Sequence, residues 1–194
     1  MSLPLKPEII VFAGPNGSGK STITKLIKVI EPYINADDIK KFNHCSDLEA
    51  AEQAERMRED LLCKGKSFTF ETVMSTDRNL KLLVKAKEQG YFIRTIYVLT
   101  SDPQINISRI GLRAFRGDHD VPDDKVISRY NRALALIPNV VEISDICHIY
   151  DNSDTPFRIF KKRKEQYFYF ENNFWNKESI EVLTGYVFDN IQDK

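Results

Sequence analysis

The residues best suited to chemistry lie in the stretch FAGPNGSGKST, residues 12–22. They match the pattern G-x-x-x-x-G-K-[ST] in full. Such glycines let successive backbone N–H groups hold phosphate, while Lys20 would reach the β- and γ-phosphates and Ser21 would ligate Mg²⁺. A turn without a ligand is the alternative, but the position between a predicted strand and a predicted helix favours ATP with Mg²⁺. The predicted ATP-binding residues are Gly14, Asn16, Gly17, Ser18, Gly19, Lys20, Ser21 and Thr22, with Ser21 as the metal ligand and Lys20 also catalytic.

This phosphate-binding loop alone leaves three classes open, namely a kinase with a small acceptor, a motor or signalling NTPase, and a nucleotide-dependent binding module. The sequence has no clean Walker B strand, and ICHIYD ending at Asp151 is the nearest match. No N-K-x-D motif for reading a guanine base is present, and no second domain is visible. These observations favour the kinase class.

Carboxylates follow two predicted strands. Asp37 and Asp38 come directly after YIN, and Glu71 ends FTFET. The carboxyl ends of parallel strands meet at one crevice, where such sheets bind ligands. We predict that Asp37 activates the acceptor hydroxyl, and that Asp38, Glu71 and Thr72 bind the acceptor. The alternatives are a helix N-cap for the aspartates and an ordinary surface charge for Glu71.

Arginines cluster further along the chain. Arg109, Arg113 and Arg116 share one helix face at i, i+4 and i+7. The loop GDHDVPDD follows, and Arg129 and Arg132 come after it. Because like charges on one face repel unless an anion collects them, the pattern predicts a lid over the triphosphate at about 109–132. Arg113 and Arg116 are predicted to be catalytic and Arg129 to bind ATP, while a solvated basic face is the alternative.

Strands and helices alternate from residue 8 to about residue 153. Alternation of this kind predicts a three-layer α/β P-loop fold with a five-stranded parallel sheet, in the order 2-3-1-4-5. The first helix should run from the loop to Pro32 along an apolar stripe. The helix in DLEAAEQAERMREDLLCKGK should bury Ala50, Ala54, Met57 and Leu61.

The tail predicts a hairpin that extends the sheet and a final packing helix over 157–194, within one domain that spans residues 1–194. The segment 157–170 alternates apolar and polar residues around a basic turn, KKRK, which favours a solvated hairpin tip over a nucleic-acid contact. The last helix should face inward with Ile180, Leu183, Val187 and Ile191.

Composition narrows the classes of partner. Lys plus Arg and Asp plus Glu are equal at 28 each, so no net charge attracts nucleic acid or a membrane surface. The three cysteines lie far apart, which argues against a disulfide framework or a zinc site. With no signal peptide or membrane-spanning run in the sequence, we expect a cytoplasmic protein.

Taken together, FAGPNGSGKST, INADDI, FTFET, the arginine lid with DHDVP and SDICHIYDNS resemble the zeta-toxin family of P-loop kinases. They are most similar to its short bacterial members, often labelled predicted ABC-type ATPases. The resemblance implies transfer of the ATP γ-phosphate to UDP-N-acetylglucosamine and control by an antitoxin. The family's catalytic aspartate matches Asp37 and its acceptor-side glutamate matches Glu71, although this chain reads F-E-T where the toxins read E-G-T. The alternative is an ATPase or nucleotide sensor acting with nucleic acid or a protein partner.

Overall fold

The computed structural model describes residues 6–115 and 121–188. Its strands are β1 (Glu8–Ala13), β2 (Tyr33–Ile34), β3 (Phe68–Thr72), β4 (Phe92–Leu99), β5 (Ile146–Asp151), β6 (Phe157–Arg163) and β7 (Gln166–Tyr169). Its helices are α1 (Lys20–Thr24), α2 (Ala36–Asn43), α3 (Asp47–Cys63), α4 (Arg78–Glu88), α5 (Pro103–Phe115), α6 (Asp123–Ala135), α7 (Ile137–Ile143) and α8 (Lys177–Thr184).

All seven of these strands form one sheet, in the order β2-β3-β1-β4-β5-β6-β7. The first five run parallel, whereas β6 and β7 are antiparallel additions. The prediction of a five-stranded sheet is therefore wrong. The hairpin over 157–170 forms and extends the sheet as predicted, because its first strand pairs with the edge of β5. The sheet therefore continues through β6 and β7, and its full order is longer than the predicted one.

The central strands are apolar on both faces because helices cover both. Along β1, Ile9 and Val11 enter the larger core, where α3, α4 and α7 pack against the sheet, while Ile10 and Phe12 face a smaller core under α1. This is the expected pattern for a parallel sheet buried on both sides. Across the residues described, no helix is both long and apolar enough to cross a membrane.

Two helices are shorter than predicted. Helix α1 ends at Thr24 instead of continuing to Pro32, and Leu26 is 76% exposed. The segment is rich in β-branched residues, which lose side-chain freedom in a helix. Helix α8 ends where Gly185 takes a left-handed conformation, so Val187 lies outside it and is exposed. Ile191 lies outside the described residues.

Helix α3 buries a different stripe from the one predicted. It begins with a capping box, in which Ser46 and Glu49 satisfy each other's backbone N–H groups. Ala50 and Ala54 are buried as expected, but the stripe then continues through Arg58 and Leu62, and Met57 is 42% exposed. The helix therefore places an arginine where apolar periodicity predicts a methionine.

The hairpin is attached to the core through a buried lysine. Lys162 of β6 donates from Nζ to the carbonyl oxygens of Val141 (2.7 Å) and Glu142 (2.9 Å), at the end of α7. A cation is favourable there because the last carbonyls of a helix lack partners within the helix and carry partial negative charge. The sequence predicted neither α7 nor this contact.

Lys162→Met should lower the free energy of unfolding by about 1–3 kcal/mol, because two buried carbonyls lose a charged donor. Urea unfolding of the wild type and the variant measures the difference. Lys161→Met is the matched control, since Lys161 contacts only the ring face of Phe168, 5.2 Å from its centroid. Equal stability of the two variants would show that the hairpin does not depend on this contact.

Candidate active site

The loop between β1 and α1 is shaped by glycines. Gly14, Gly17 and Gly19 all have positive φ angles. A Cβ atom on Gly14 would lie 1.9 Å from the carbonyl oxygen of Val98, and one on Gly19 would lie 2.1 Å from Nδ2 of Asn152. The loop therefore needs glycine both for its conformation and for its close approach to β4 and to the end of β5.

Two asparagines brace this loop from outside. Asn106 of α5 donates from Nδ2 to the carbonyl oxygen of Asn16 (2.6 Å), and Asn152 donates to that of Ser18 (2.8 Å). Asn106 is fully buried, and its side-chain oxygen accepts from the hydroxyl of Thr100. Sequence analysis missed both residues, although each closely follows a strand end at the ligand-binding edge of the sheet.

Lys20 is buried at the first position of α1. Its Nζ donates to the carbonyl oxygens of Gly14 (2.9 Å) and Pro15 (3.2 Å) and lies 3.9 Å from Oε1 of Glu71. Burial lowers the pKa of Lys20, while the carboxylates of Glu71 and Asp37 act in the opposite direction. The loop thus folds around its own ammonium group.

Glu71 is a shielded carboxylate, so its reading as a surface charge is wrong. Its side chain is only 14% exposed, and Oε2 accepts from the hydroxyl of Tyr33 (2.9 Å). Burial, followed by the charge of Glu71, raises the pKa of Tyr33, so this hydroxyl remains a donor. Next to it, the hydroxyl oxygen of Thr72 accepts from Nδ2 of Asn79 (2.7 Å). Both residues are fixed at the end of β3, beside the loop.

The two aspartates after β2 are separated by the geometry of α2. Asn35 caps this helix by accepting from the backbone N–H of Asp37 (2.9 Å), so the interpretation of Asp37 or Asp38 as the N-cap is wrong. Both aspartates are exposed in the first turn. Asp37 lines the cavity beside Lys20, and Asp38 does not.

A cavity of about 250 Å³ brings these groups together. Its polar lining includes Asn16, Lys20, Asn35, Asp37, Arg58, Glu71, Thr72, Ser75, Thr76 and Asn79. A larger groove of about 790 Å³ runs between α6, α7 and α8, but it contains none of the predicted site residues. We therefore take the smaller cavity as the candidate active site.

The predicted lid is described only in part. Arg113 is exposed near the end of α5, and its charge contributes to lowering the pKa of Lys20, so it faces the same region. Arg109 instead donates to the carbonyl oxygen of Ser153 (3.1 Å). Arg129 is half-buried on α6 and has no ion pair with the residues described. Arg116 lies outside the described residues.

Metal ligands are sparse, as suits an ion that arrives with its substrate. Within the described ranges, no group of three His, Cys, Asp or Glu side chains could form a metal cage. Mg²⁺ usually takes one or two protein oxygens together with substrate phosphates and water. The exposed hydroxyl of Ser21 and carboxylate of Asp37 fit that donor set. Asp151 does not, because its oxygens accept from Ser153 and Asn172.

Comparison with known proteins bears on the fold. No family model matches the chain. An uncharacterized protein of Haemophilus influenzae is 26% identical over 132 residues, which are 65% of this chain and 94% of that protein. A chain from the PezAT chromosomal toxin–antitoxin system of Streptococcus pneumoniae has a TM-score of 0.55 at 18% identity, over 82% of this chain and 73% of that chain. A chain of the AvrRxo1-ORF1:-ORF2 complex with ATP has a TM-score of 0.59 at 12% identity, over 92% of this chain and 63% of that chain.

The chain shares its fold with these two chains of known structure. The resemblance stated from the motifs is thus confirmed at the level of the fold. The α/β kinase-like class is confirmed as well, with the sheet corrected to seven strands. The roles of individual residues at the candidate active site remain predictions.

Asn152→Ala should loosen the phosphate-binding loop. Losing one buried hydrogen bond of about 1.4 kcal/mol should speed amide hydrogen exchange across residues 14–19 by about tenfold. Asn43→Ala is the control, because Asn43 is exposed and bonds only to Gln53. Unchanged exchange in Asn152→Ala would mean that the loop holds its shape without this brace.

Proposed function

We propose that the chain is an ATP-dependent phosphotransferase that moves the γ-phosphate to a hydroxyl of a small acceptor. The supporting observation is that Lys20, Asp37 and Glu71 line one cavity beside the phosphate-binding loop. Phosphoryl transfer needs positive charge that neutralises the transferring group, and it needs a positioned acceptor. Lys20 would supply the charge, and the two carboxylates would position the acceptor.

The loop and Lys20 would hold the triphosphate. The backbone N–H groups of the loop would form the anion site, and the ammonium group of Lys20 would exchange the carbonyl oxygens of Gly14 and Pro15 for phosphate oxygens. Arg113, Arg116 and Arg129 are proposed to neutralise the charge of the transferring group from the α5–α6 side. Mg²⁺, held by Ser21 and the phosphates, would supply further neutralisation.

Asp37 and Glu71 would act on the acceptor hydroxyl in two different ways, one by accepting its proton and the other by fixing its position. Oxygens of Glu71 already face Lys20 and Tyr33, so this carboxylate is suited to fixing a position. The carboxylate of Asp37 has no hydrogen bond to the residues described and is open to the cavity. We therefore assign proton acceptance to Asp37 and acceptor binding to Thr72, whereas Asp38 lies outside the cavity and is given no role there.

UDP-N-acetylglucosamine is the first acceptor to test, because the chain resembles zeta toxins at Asp37 and Glu71. An antitoxin is the partner we propose, since the structural neighbours come from a toxin–antitoxin system and from a two-component complex. We place the reaction in the cytoplasm, where ATP is available.

Transfer of labelled phosphate from ATP distinguishes a kinase from an ATPase that acts with nucleic acid. The protein is incubated with γ-labelled ATP and a panel of nucleotide sugars, nucleosides and small alcohols, and label in each acceptor is measured. Transfer to an alcohol supports the kinase. ATP hydrolysis stimulated by DNA, without label in any acceptor, would contradict it and favour an ATPase that acts with nucleic acid.

Asp37→Asn should lower kcat by about 10²–10⁴-fold, the usual contribution of a positioned base, while the affinity for MgATP stays near that of the wild type. Steady-state kinetics with the acceptor found in the panel measure the change. Asp38→Asn is the matched control, because it is the adjacent carboxylate and lies outside the cavity. A large loss in Asp38→Asn with normal turnover in Asp37→Asn would reverse the two roles.

A further inference from the structure

Arg58 is a buried cation without a polar partner. It lies on α3, is 7% exposed, and places its guanidinium carbon 5.2 Å from the centroid of the Phe70 ring. Its Nε is fully buried and unpaired, and the side chain makes no hydrogen bond or ion pair with the residues described. Buried polar groups in folded proteins nearly always have partners, so this one requires an explanation.

The two carboxylates whose charges act most on Arg58, those of Glu55 and Glu59, are already engaged. Glu55 contacts Arg78 at 3.0 Å, and Glu59 contacts Lys85 at 2.9 Å. Both glutamates favour the charged form of Arg58 from a distance, while burial, the larger effect, lowers its pKa. The face of the Phe70 ring attracts the positive charge of the guanidinium. The ring accepts no hydrogen bond from the N–H groups, which point outward in the plane of the guanidinium. Neither these glutamates nor the Phe70 ring therefore accepts a hydrogen bond from the guanidinium of Arg58.

The open side of Arg58 is the candidate active site. Arg58 lines the same cavity as Lys20, Asp37 and Glu71. The cavity wall near it is built of small and hydroxyl side chains, Ala51, Ala54, Ser75 and Thr76, which leave room for a ligand group. A guanidinium presents a fork of donors that matches the two oxygens of a carboxylate or phosphate.

We propose that Arg58 binds a compact anionic group, a phosphate or a carboxylate, on the molecule that receives the phosphoryl group. The inference rests on the proposed function, because that function makes the cavity an acceptor site. The acceptor is then an alcohol that already carries negative charge. A neutral alcohol of the same shape would leave the guanidinium unpaired and bind less well, so Arg58 sets specificity at this cavity.

Equilibrium binding tests the anion site without requiring turnover. Inorganic phosphate, glucose, glucose 6-phosphate and glucuronate are titrated into the wild type, Arg58→Met and Arg56→Met. The wild type should bind at least one of the charged sugars about tenfold or more tightly than glucose, because a bidentate charged contact contributes that much. The preference between the phosphate and the carboxylate sugar identifies the anion.

Arg58→Met should abolish that preference, and Arg56→Met should keep it, because Arg56 is 68% exposed and pairs with Glu52 on the same helix. Arg58→Met should also fold with equal or higher stability, since an apolar side chain replaces an unpaired buried charge. Inorganic phosphate should raise the Tm of the wild type more than that of Arg58→Met, because the phosphate-binding loop remains an anion site in both proteins.

Binding of phosphate and the charged sugars that is absent, or equal in the wild type and Arg58→Met, would overturn the anion site. Loss of stability in Arg58→Met together with unchanged binding would assign Arg58 to packing against Phe70. The kinase proposal fails separately. Arg58-dependent anion binding without label transfer to any alcohol would keep this site and contradict the phosphotransferase.

Discussion

The buried ammonium group of Lys20 is the constraint on which the rest of the site depends. Removing a cation from water is costly unless acceptors surround it, and here two loop carbonyls and the carboxylate of Glu71 do so. The loop must curl tightly to bring those carbonyls inward, which requires glycine at positions such as Gly14. Glu71 must in turn be shielded and held, and Tyr33 provides that contact. These contacts occupy Lys20 with groups that a phosphate could replace.

The five parallel strands make this arrangement possible because they all end at one edge of the sheet. The loop follows β1, Asp37 follows β2, Thr72 ends β3 and Asn152 follows β5. Several polar atoms left without partners lie around the same edge, including Oδ1 of Asn16, Oγ of Ser18 and Nε of Arg58. Buried polar atoms in folded proteins nearly always have a partner, in the protein or in bound water, so this edge is expected to hold water or a ligand.

The sequence was sufficient to predict the loop, the parallel core and the placement of Asp37 and Glu71 at the carboxyl ends of the strands, because each depends on local motifs and strand ends. It placed Glu71 away from the phosphates, whereas Glu71 lies 3.9 Å from the ammonium group of Lys20. The braces from Asn106 and Asn152 depend on partners 90 and 134 residues away, which no local pattern encodes. Arg58 was missed for another reason. Helical periodicity from Ala54 allows both residue 57 and residue 58 to face inward. Because methionine is the more hydrophobic of the two, the sequence predicts that Met57 is buried, whereas in the structure the buried residue is Arg58. The strands β6 and β7 belong to the sheet because β6 pairs with the edge of β5, and strand propensity alone does not determine such pairing.

The central claim is that Lys20 is held ready for a triphosphate, and calorimetric titration of MgATP into the wild type and Lys20→Met tests it most directly. Methionine keeps the length and apolar stem of the side chain but removes the charge. MgATP should bind the wild type, and its affinity for Lys20→Met should fall by at least about tenfold, while the variant remains folded by circular dichroism. Equal affinity of the two folded proteins would show that Lys20 does not hold the triphosphate.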